Sequence, residues 1–503
     1  MIAPSLSAHY ASTLALCRAR HHQPALHHGD GWRTSVSVRP TCFSSYASAM
    51  SQASCIATSR LDAFKTWLTE QGVLSSNIPV IPQQVENQGL GIVAKGRSVA
   101  QNEDVLSVPQ ELWMSVAVAR LHPTIGPFCQ NLRPWVALAL LLLYEKAMPS
   151  SFWRPYIDIL PDTLDSPLFW SNEELMQLEG TQLLGSISGY LQHVDSEYTT
   201  LFQEVIEPNP GIFNTSLFSR DLFLWAFGIL RSRTFPPLTG DELALVPFAD
   251  LVNHGMVLNM DGPSWEKKSS GFFDRREYLT LRAPISVKEG EQIVMQYGKV
   301  KSNGKLAVDY GFVECGPKTT AIRDSFTLTL EIAESDRFFD DKIDIAELNG
   351  LSAIVYFDLV YEQGLPDNML PFLRLIALSG TDAFLLEALF RNSVWDHLQL
   401  PVSRVNEEAV CKAIVDGCHV ALTSYPSTID EDLNLLQDIE LSPRLKIAAA
   451  IRLGEKRVLQ ELQLLFETRL QELHKLEYYA ERRLRNLGLM DDKGDLTPWV
   501  FEG

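Results

Sequence analysis

A chain of 503 residues with 46% hydrophobic and 21% charged content is too long for one ordinary core and describes a globular protein of two or three domains. Its formal net charge of −19 is unevenly spread: residues 1–60 hold five Arg, no Lys and one acidic residue, Asp30, so the rest carries −23. That acidic body argues against nonspecific binding to nucleic acid or to an anionic membrane. The seven cysteines include no CxxC and no Cys/His cluster with zinc spacing, so neither a metal site nor a disulfide framework is expected.

Residues 1–58, rich in Ser, Ala, His and Arg, lack the central apolar block of a secretory signal and suit an organelle transit peptide, disordered and cleaved within Ser44–Ser59. No apolar run approaches the roughly 20 residues of a membrane span. Leu61–Val73 carries a helical stripe at Leu61, Phe64, Trp67 and Leu68. Gln88–Ala94 and Asp104–Pro109 read as strands, with Gly89 and Gly91 at the entry to the first. A Gly-x-Gly permits close backbone approach, but no helix follows it, so a dinucleotide fingerprint is disfavoured. Residues 111–231 are mostly helical (Trp135–Met148, Glu173–Leu191, Leu217–Leu230) and read as an insertion within one domain.

Arg231-Ser232-Arg233-Thr234-Phe235 ends the last of these helices, where basic residues favour the C-terminus. The stretch Leu245–His254, LVPFADLVNH, follows. Its apolar run Leu243–Phe248 predicts a buried strand ending in Asp250, Asn253 and His254, polar groups that need partners. On spacing alone a satisfied turn and a functional site are both open. A loop at Asn259–Gly271, strands at Glu277–Arg282 and Gln292–Gln296 joined by Glu289-Gly290-Glu291, a short helix at Ser302–Asp309 and a strand at Ser325–Ile332 come next. Beyond about Asp340 the pattern is helical. It ends in a long helix, Glu455–Leu487, with Gly488 as its cap.

Taken together, Gly89-Leu90-Gly91, Arg231-Ser232-Arg233, Asp250-x-x-Asn253-His254, Glu289-Gly290-Glu291-Gln292-x-x-x-Gln296-Tyr297 and Asp309-Tyr310-Gly311-Phe312 resemble a SET domain, and in particular the plant Rubisco large-subunit lysine methyltransferase family. The tracts FFDDKIDIAELNG, TDAFLLEALFR and LEYYAERRLRNLGL extend the likeness over most of the chain. The resemblance implies an α+β fold: a SET pseudoknot of small β-sheets at 59–325, with the helical insertion, then an all-α substrate-binding domain at 326–503. It also implies methyl transfer from S-adenosyl-L-methionine to a lysine side chain of a protein in the chloroplast stroma, by a monomer.

By the same resemblance Gln88, Gly89, Leu90, Arg233, Asn253, His254 and Phe312 hold the cofactor. Arg233 pairs with its carboxylate, Asn253 with its amino end, and the His254 main chain with its adenine. The His254 side chain braces the pseudoknot rather than acting as a base. Arg233, Phe235, Asp250, Trp265, Tyr297 and Tyr310 face the substrate, and Tyr310 is the hydroxyl at methyl transfer. A branch that methylates histidine has an amide where Phe235 stands, so lysine is favoured.

Three departures bear on this. Gln88 replaces the family's Glu, Pro237 replaces a basic residue, and Gly262-Pro263-Ser264-Trp265 lacks the His expected of enzymes acting on Rubisco. Plastid fructose-bisphosphate aldolase, which the family also modifies, is therefore expected as the substrate at least as much as the Rubisco large subunit. The alternatives are a binding module that has lost turnover, or an enzyme for another protein target.

Overall fold

The stripe Phe64, Trp67 and Leu68 is buried as its spacing predicts, on a helix that runs Phe43–Glu70. The structure, a computed structural model, describes residues 43–86, 88–235, 242–255, 265–269, 276–298, 301–314, 323–387, 389–391 and 393–491. Residues 43–58, expected within a disordered leader, are helical here, as a tract free of Gly and Pro allows. The expected cleavage window lies in that helix, and residues 1–42 lie outside the described residues.

Ten short strands follow: β1 (Val80–Val85), β2 (Gly89–Ala94), β3 (Asp104–Pro109), β4 (Met114–Ser115), β5 (Thr234–Phe235), β6 (Ala244–Leu245), β7 (Asn253–His254), β8 (Trp265–Ser269), β9 (Glu277–Arg282) and β10 (Gln292–Met295). They form three small sheets, ordered β1-β2-β10-β7, β3-β9-β8 and β4-β6-β5. In the first, β10 lies antiparallel to β2 and parallel to β7, with Val294 opposite Asn253 and Met295 opposite His254. The Gly-x-Gly strand and the Asn-His strand are thus brought to opposite edges of β10.

The insertion lies between β4 and β5. Its central helix, Pro134–Ala147, buries Val136 through Leu143 without a break, so it is apolar all round because it is enclosed all round. The expected single helix Glu173–Leu191 is instead broken, and the main helix runs Gln182–Leu201. Gly180 marks the break with φ +83°, and a Cβ there would stand 2.8 Å from the Ser424 carbonyl oxygen. Close packing against the C-terminal region interrupts the helical period.

The expected buried strand Leu243–Phe248 is buried throughout, but only Ala244 and Leu245 join a ladder. Phe248, fully buried, has φ 74°, a conformation unfavourable for a bulky side chain. It turns the chain into a short 3₁₀ segment, Ala249–Leu251, that carries Asp250 inward.

The C-terminal region is helical except at its start, which corrects the all-α expectation. β11 (Ser325–Glu331) pairs antiparallel with β12 (Ile354–Val360) over seven residues. The β12 sequence is apolar on both faces, which hid its alternation. The long terminal helix also differs from expectation: Pro443–Gln471 is one helix and Tyr479–Asn486 another. The chain turns between them so that Tyr479 packs against Phe384 and His397. Helix Pro443–Gln471 gives Ile447, Ala448 and Ile451 to the core around the sheets, and Val458, Leu459, Leu462 and Phe466 to the second core. It joins the two regions.

Candidate functional site

A cleft of about 720 Å³ opens where β2, β7, the end of helix Arg220–Arg233 and the segment Asp309–Phe312 meet. It is lined by Gln88, Gly89, Leu90, Arg233, Asp250, Asn253, His254, Tyr297, Tyr310 and Phe312. That volume suits a cofactor-sized molecule. Of the residues expected to touch cofactor or substrate, Phe235 and Trp265 stand outside its lining. Their rings meet edge-on at 5.4 Å, and Trp265 Nε1 donates to Met295 Sδ at 3.0 Å. Met295 pairs with His254, so this aromatic pair abuts the back of the site. Pro237 and Gly262-Pro263-Ser264 lie outside the described residues.

The glycines explain the approach of β2. Gly89 has φ +75°, as the turn after β1 requires. A Cβ on Gly91 would lie 2.8 Å from Asn253 Nδ2 and 3.0 Å from Gln292 Oε1. Its absence makes room for an amide relay: Asn253 Nδ2 donates to Gln292 Oε1 at 3.2 Å, and Gln292 Nε2 donates to Gln88 Oε1 at 2.6 Å. Gln88 acts there as an acceptor, a task a Glu would share, so its replacement leaves the relay intact.

Asp250 is not on an open face, as a peptide-orienting residue would be. Its side chain is fully buried. Arg233 Nη1 donates to its main-chain oxygen at 3.0 Å and to Oδ2 at 3.3 Å, and the Tyr156 hydroxyl donates to Oδ2 at 2.7 Å. Burial pushes the Asp250 carboxyl up, and Arg233 and Tyr156 pull against it. Asp250 is the counter-ion that holds Arg233 at the cleft wall. Tyr156 was missed from the sequence, where it is one aromatic among many.

The Tyr297 and Tyr310 rings meet at a tilt of 39° with centroids 4.4 Å apart, and Phe312 completes a triangle at 6.0 Å from Tyr310 and 6.3 Å from Tyr297. The Tyr297 hydroxyl donates to Val252 O at 2.8 Å, and burial pushes its pKa well up. The Tyr310 hydroxyl accepts from Lys301 Nζ at 3.0 Å. Tyr310 closes helix Asn303–Tyr310, capped at its start by Ser302 and at its end by Gly311 with φ 78°. A Cβ on Gly311 would stand 2.8 Å from the Asp165 carbonyl carbon. Gly311→Ala combines strain with a backbone clash. It is expected to cost more than about 1 kcal/mol and to displace Tyr310 and Phe312, read as a lowered urea midpoint together with weaker cofactor binding.

Among family models, that of the Rubisco LSMT substrate-binding domain matches residues 333–459. The chain is 48% identical over 436 residues to the chloroplastic [fructose-bisphosphate aldolase]-lysine N-methyltransferase of Arabidopsis thaliana, covering 87% of this chain and 89% of that protein. It is 47% identical to the chloroplastic ribulose-1,5-bisphosphate carboxylase/oxygenase large-subunit N-methyltransferase of Nicotiana tabacum, covering 87% and 88%. The chain belongs to the SET-domain Rubisco large-subunit methyltransferase family. The crystal structure of the LSMT SET domain bound to lysine and AdoHcy superposes with a TM-score of 0.79 at 44% identity, covering 87% of this chain and 98% of that one. Human actin-histidine N-methyltransferase is more distant, 29% identical over 78% of this chain and 66% of its own length.

Within a methyltransferase of this family, Arg233 Nε and Asp250 Oδ1 stand out. Both are buried without a hydrogen-bond partner among the described residues. In an otherwise satisfied cleft such atoms mark where a ligand's polar end belongs. The residues therefore fit the zwitterionic amino-acid end of S-adenosylmethionine.

Both ring nitrogens of His254 are engaged. Its Nδ1 accepts from Tyr297 N at 3.2 Å, so the proton sits on Nε2, which bonds Glu314. Arg323 grips Glu314 with Nε at 2.7 Å and Nη2 at 3.0 Å, and gives Nη1 to the carbonyls of Gly298 and Lys301. Burial, opposed by Glu314, leaves the His254 imidazole below the ordinary histidine value of about 6.5. A lowered folded value means that the unfolded chain takes up the proton first, so this contribution is full above pH 6.5 and is lost as pH falls through the folded value. The stability advantage of wild type over His254→Gln is expected to shrink between pH 7.5 and 5, measured by urea denaturation.

Proposed function

We propose that the chain transfers methyl groups from S-adenosylmethionine to the side-chain amine of a lysine on a chloroplast stromal protein, acting as a monomer. Fructose-bisphosphate aldolase and the Rubisco large subunit are the substrates the relatives' names suggest, and the absence of His from 262–265 favours aldolase. The observation that carries this reading is the convergence of Arg233, Asn253, Tyr297 and Tyr310 on one cleft. Bound there, S-adenosylmethionine supplies an electrophilic methyl group on a sulfonium, so what remains for the protein is alignment and desolvation.

Arg233, fixed by Asp250, offers its free Nε to the cofactor carboxylate. Asn253 takes the amino end, the His254 main chain the adenine, and Gln88–Leu90 and Phe312 the walls. The attacking lysine must be neutral, since an ammonium has no lone pair, and an apolar, desolvated channel favours that form. Phe235 and Trp265 supply an apolar surface for its aliphatic stem. The two tyrosines divide the remaining work. Because the Tyr297 hydroxyl donates to Val252 O, both its lone pairs stay free to accept from the amine and from the polarised methyl. The Tyr310 oxygen already accepts one bond from Lys301.

Incubation of purified aldolase and Rubisco, side by side, with labelled S-adenosylmethionine and the chain tests the substrate. Label on aldolase is expected. Label on Rubisco alone reverses the preference, and label on neither removes both.

A further inference from the structure

The wall behind Tyr310 carries an ion cluster of which only the Lys301 bond to Tyr310 has been used so far. Lys301 Nζ lies 2.7 Å from Asp309 Oδ2, 3.0 Å from the Tyr310 hydroxyl oxygen and 4.6 Å from the centre of the Tyr310 ring. Asp309 Oδ1 is in turn bound by Arg231 Nη2. The Arg231 guanidinium rests on the Tyr190 ring at 4.2 Å, on the neighbouring helix Gln182–Leu201. All three charged side chains are mostly buried.

The charges do not cancel. Arg231 and Lys301 flank the single carboxylate of Asp309, which leaves one net positive charge. Of the other groups packed around this wall, Arg233 is matched by Asp250, Arg323 by Glu314, Asp324 by Arg457 and the exposed Asp165 by Arg444; burial pushes the His254 imidazole down and the Glu455 carboxyl, on the far side of Arg231, up to about 7, and Lys305 is exposed to solvent. Burial alone would weaken the Lys301 ammonium, but Asp309 outweighs it and holds the group above the ordinary lysine value. It therefore stays charged wherever the enzyme works.

We propose that Lys301 is a positioning residue for the reaction: it anchors the Tyr310 hydroxyl and keeps a fixed positive charge behind it, so that a lysine entering beside Tyr310 is held in its neutral, nucleophilic form. The inference rests on Tyr310 lying at the methyl-transfer site. A like charge within about 4–6 Å disfavours an ammonium, and Lys301 is one hydrogen bond behind a group that lines the cleft. Arg231 and Asp309 keep the ammonium in place.

The test is the pH dependence of kcat at saturating protein substrate, which reports ionisations in the bound complex. Wild type and Lys301→Arg are expected to reach half-maximal kcat at the same pH. Lys301→Met is expected to reach it on the order of one pH unit higher, with KM for S-adenosylmethionine unchanged. Lys301→Gln is the second neutral variant, and calorimetric cofactor binding certifies the fold of each. A Lys301→Met or Lys301→Gln enzyme that binds cofactor but is slowed equally at every pH overturns the inference. Tyr310→Phe separates this from failure of the site assignment: wild-type kcat in that variant removes Tyr310 from the methyl-transfer site, whatever Lys301 does.

Discussion

Asp250→Ala is expected to lower stability by about 3–5 kcal/mol and to abolish S-adenosylmethionine binding. The substitution leaves the Arg233 guanidinium at a largely buried position without its counter-ion, and strips the acceptor from the Tyr156 hydroxyl, which is fully buried. Unpaired buried charge is among the largest single penalties a folded chain can carry. Asp250→Asn keeps the shape and an acceptor oxygen for Tyr156, so it should retain more stability than alanine yet bind cofactor weakly, because Arg233 is no longer held by charge. Urea denaturation and isothermal calorimetry read the two effects. An alanine variant within about 1 kcal/mol of wild type would mean that the Arg233–Asp250 pair does not hold the cleft wall.

The second large effect separates the two tyrosines. Tyr297→Phe is expected to lower kcat by about 10²–10³-fold, the usual cost of removing a preorganised polar group at a developing charge. Tyr310→Phe is expected to cost about tenfold, roughly one hydrogen bond of about 1.4 kcal/mol. The difference follows from their partners. Tyr297 spends its proton on Val252 O and presents free lone pairs, whereas the Tyr310 oxygen is already engaged by Lys301. Both variants keep the ring contact, so cofactor affinity should change little. Equal losses in the two would remove the distinction, and a larger loss in Tyr310→Phe would return the chief role to that residue.

Much of this site could be read from residue order. LVPFADLVNH announced a buried run ending in polar groups, and the glycine, arginine and Asp-Tyr-Gly-Phe motifs placed it in a family. The partners could not be read. Asp250 bonds Tyr156, 94 residues earlier, and His254 bonds Glu314, 60 residues later. Neither pairing leaves a local signal, because burial and a polar partner are supplied by the fold. The same holds for Tyr297 and Tyr310, which meet only because β10 and helix Asn303–Tyr310 converge. Local geometry was overridden by packing in three places. Phe248 turns a strand into a bend, Gly180 splits a helix against Ser424, and the chain turns after Gln471 so that Tyr479, opening the next helix, reaches Phe384. The second strand of the C-terminal ribbon was hidden for a different reason, having apolar residues on both faces.

The central claim is lysine methylation in the cleft between β2, β7 and Asp309–Phe312. Chloroplast extract incubated with labelled S-adenosylmethionine and the chain, then digested and sequenced by mass spectrometry, tests it most directly. Added methyl groups on lysine side-chain nitrogen are expected with wild type and almost none with Tyr297→Phe. Methyl groups on histidine, or a chain that binds the cofactor yet methylates nothing, would contradict it.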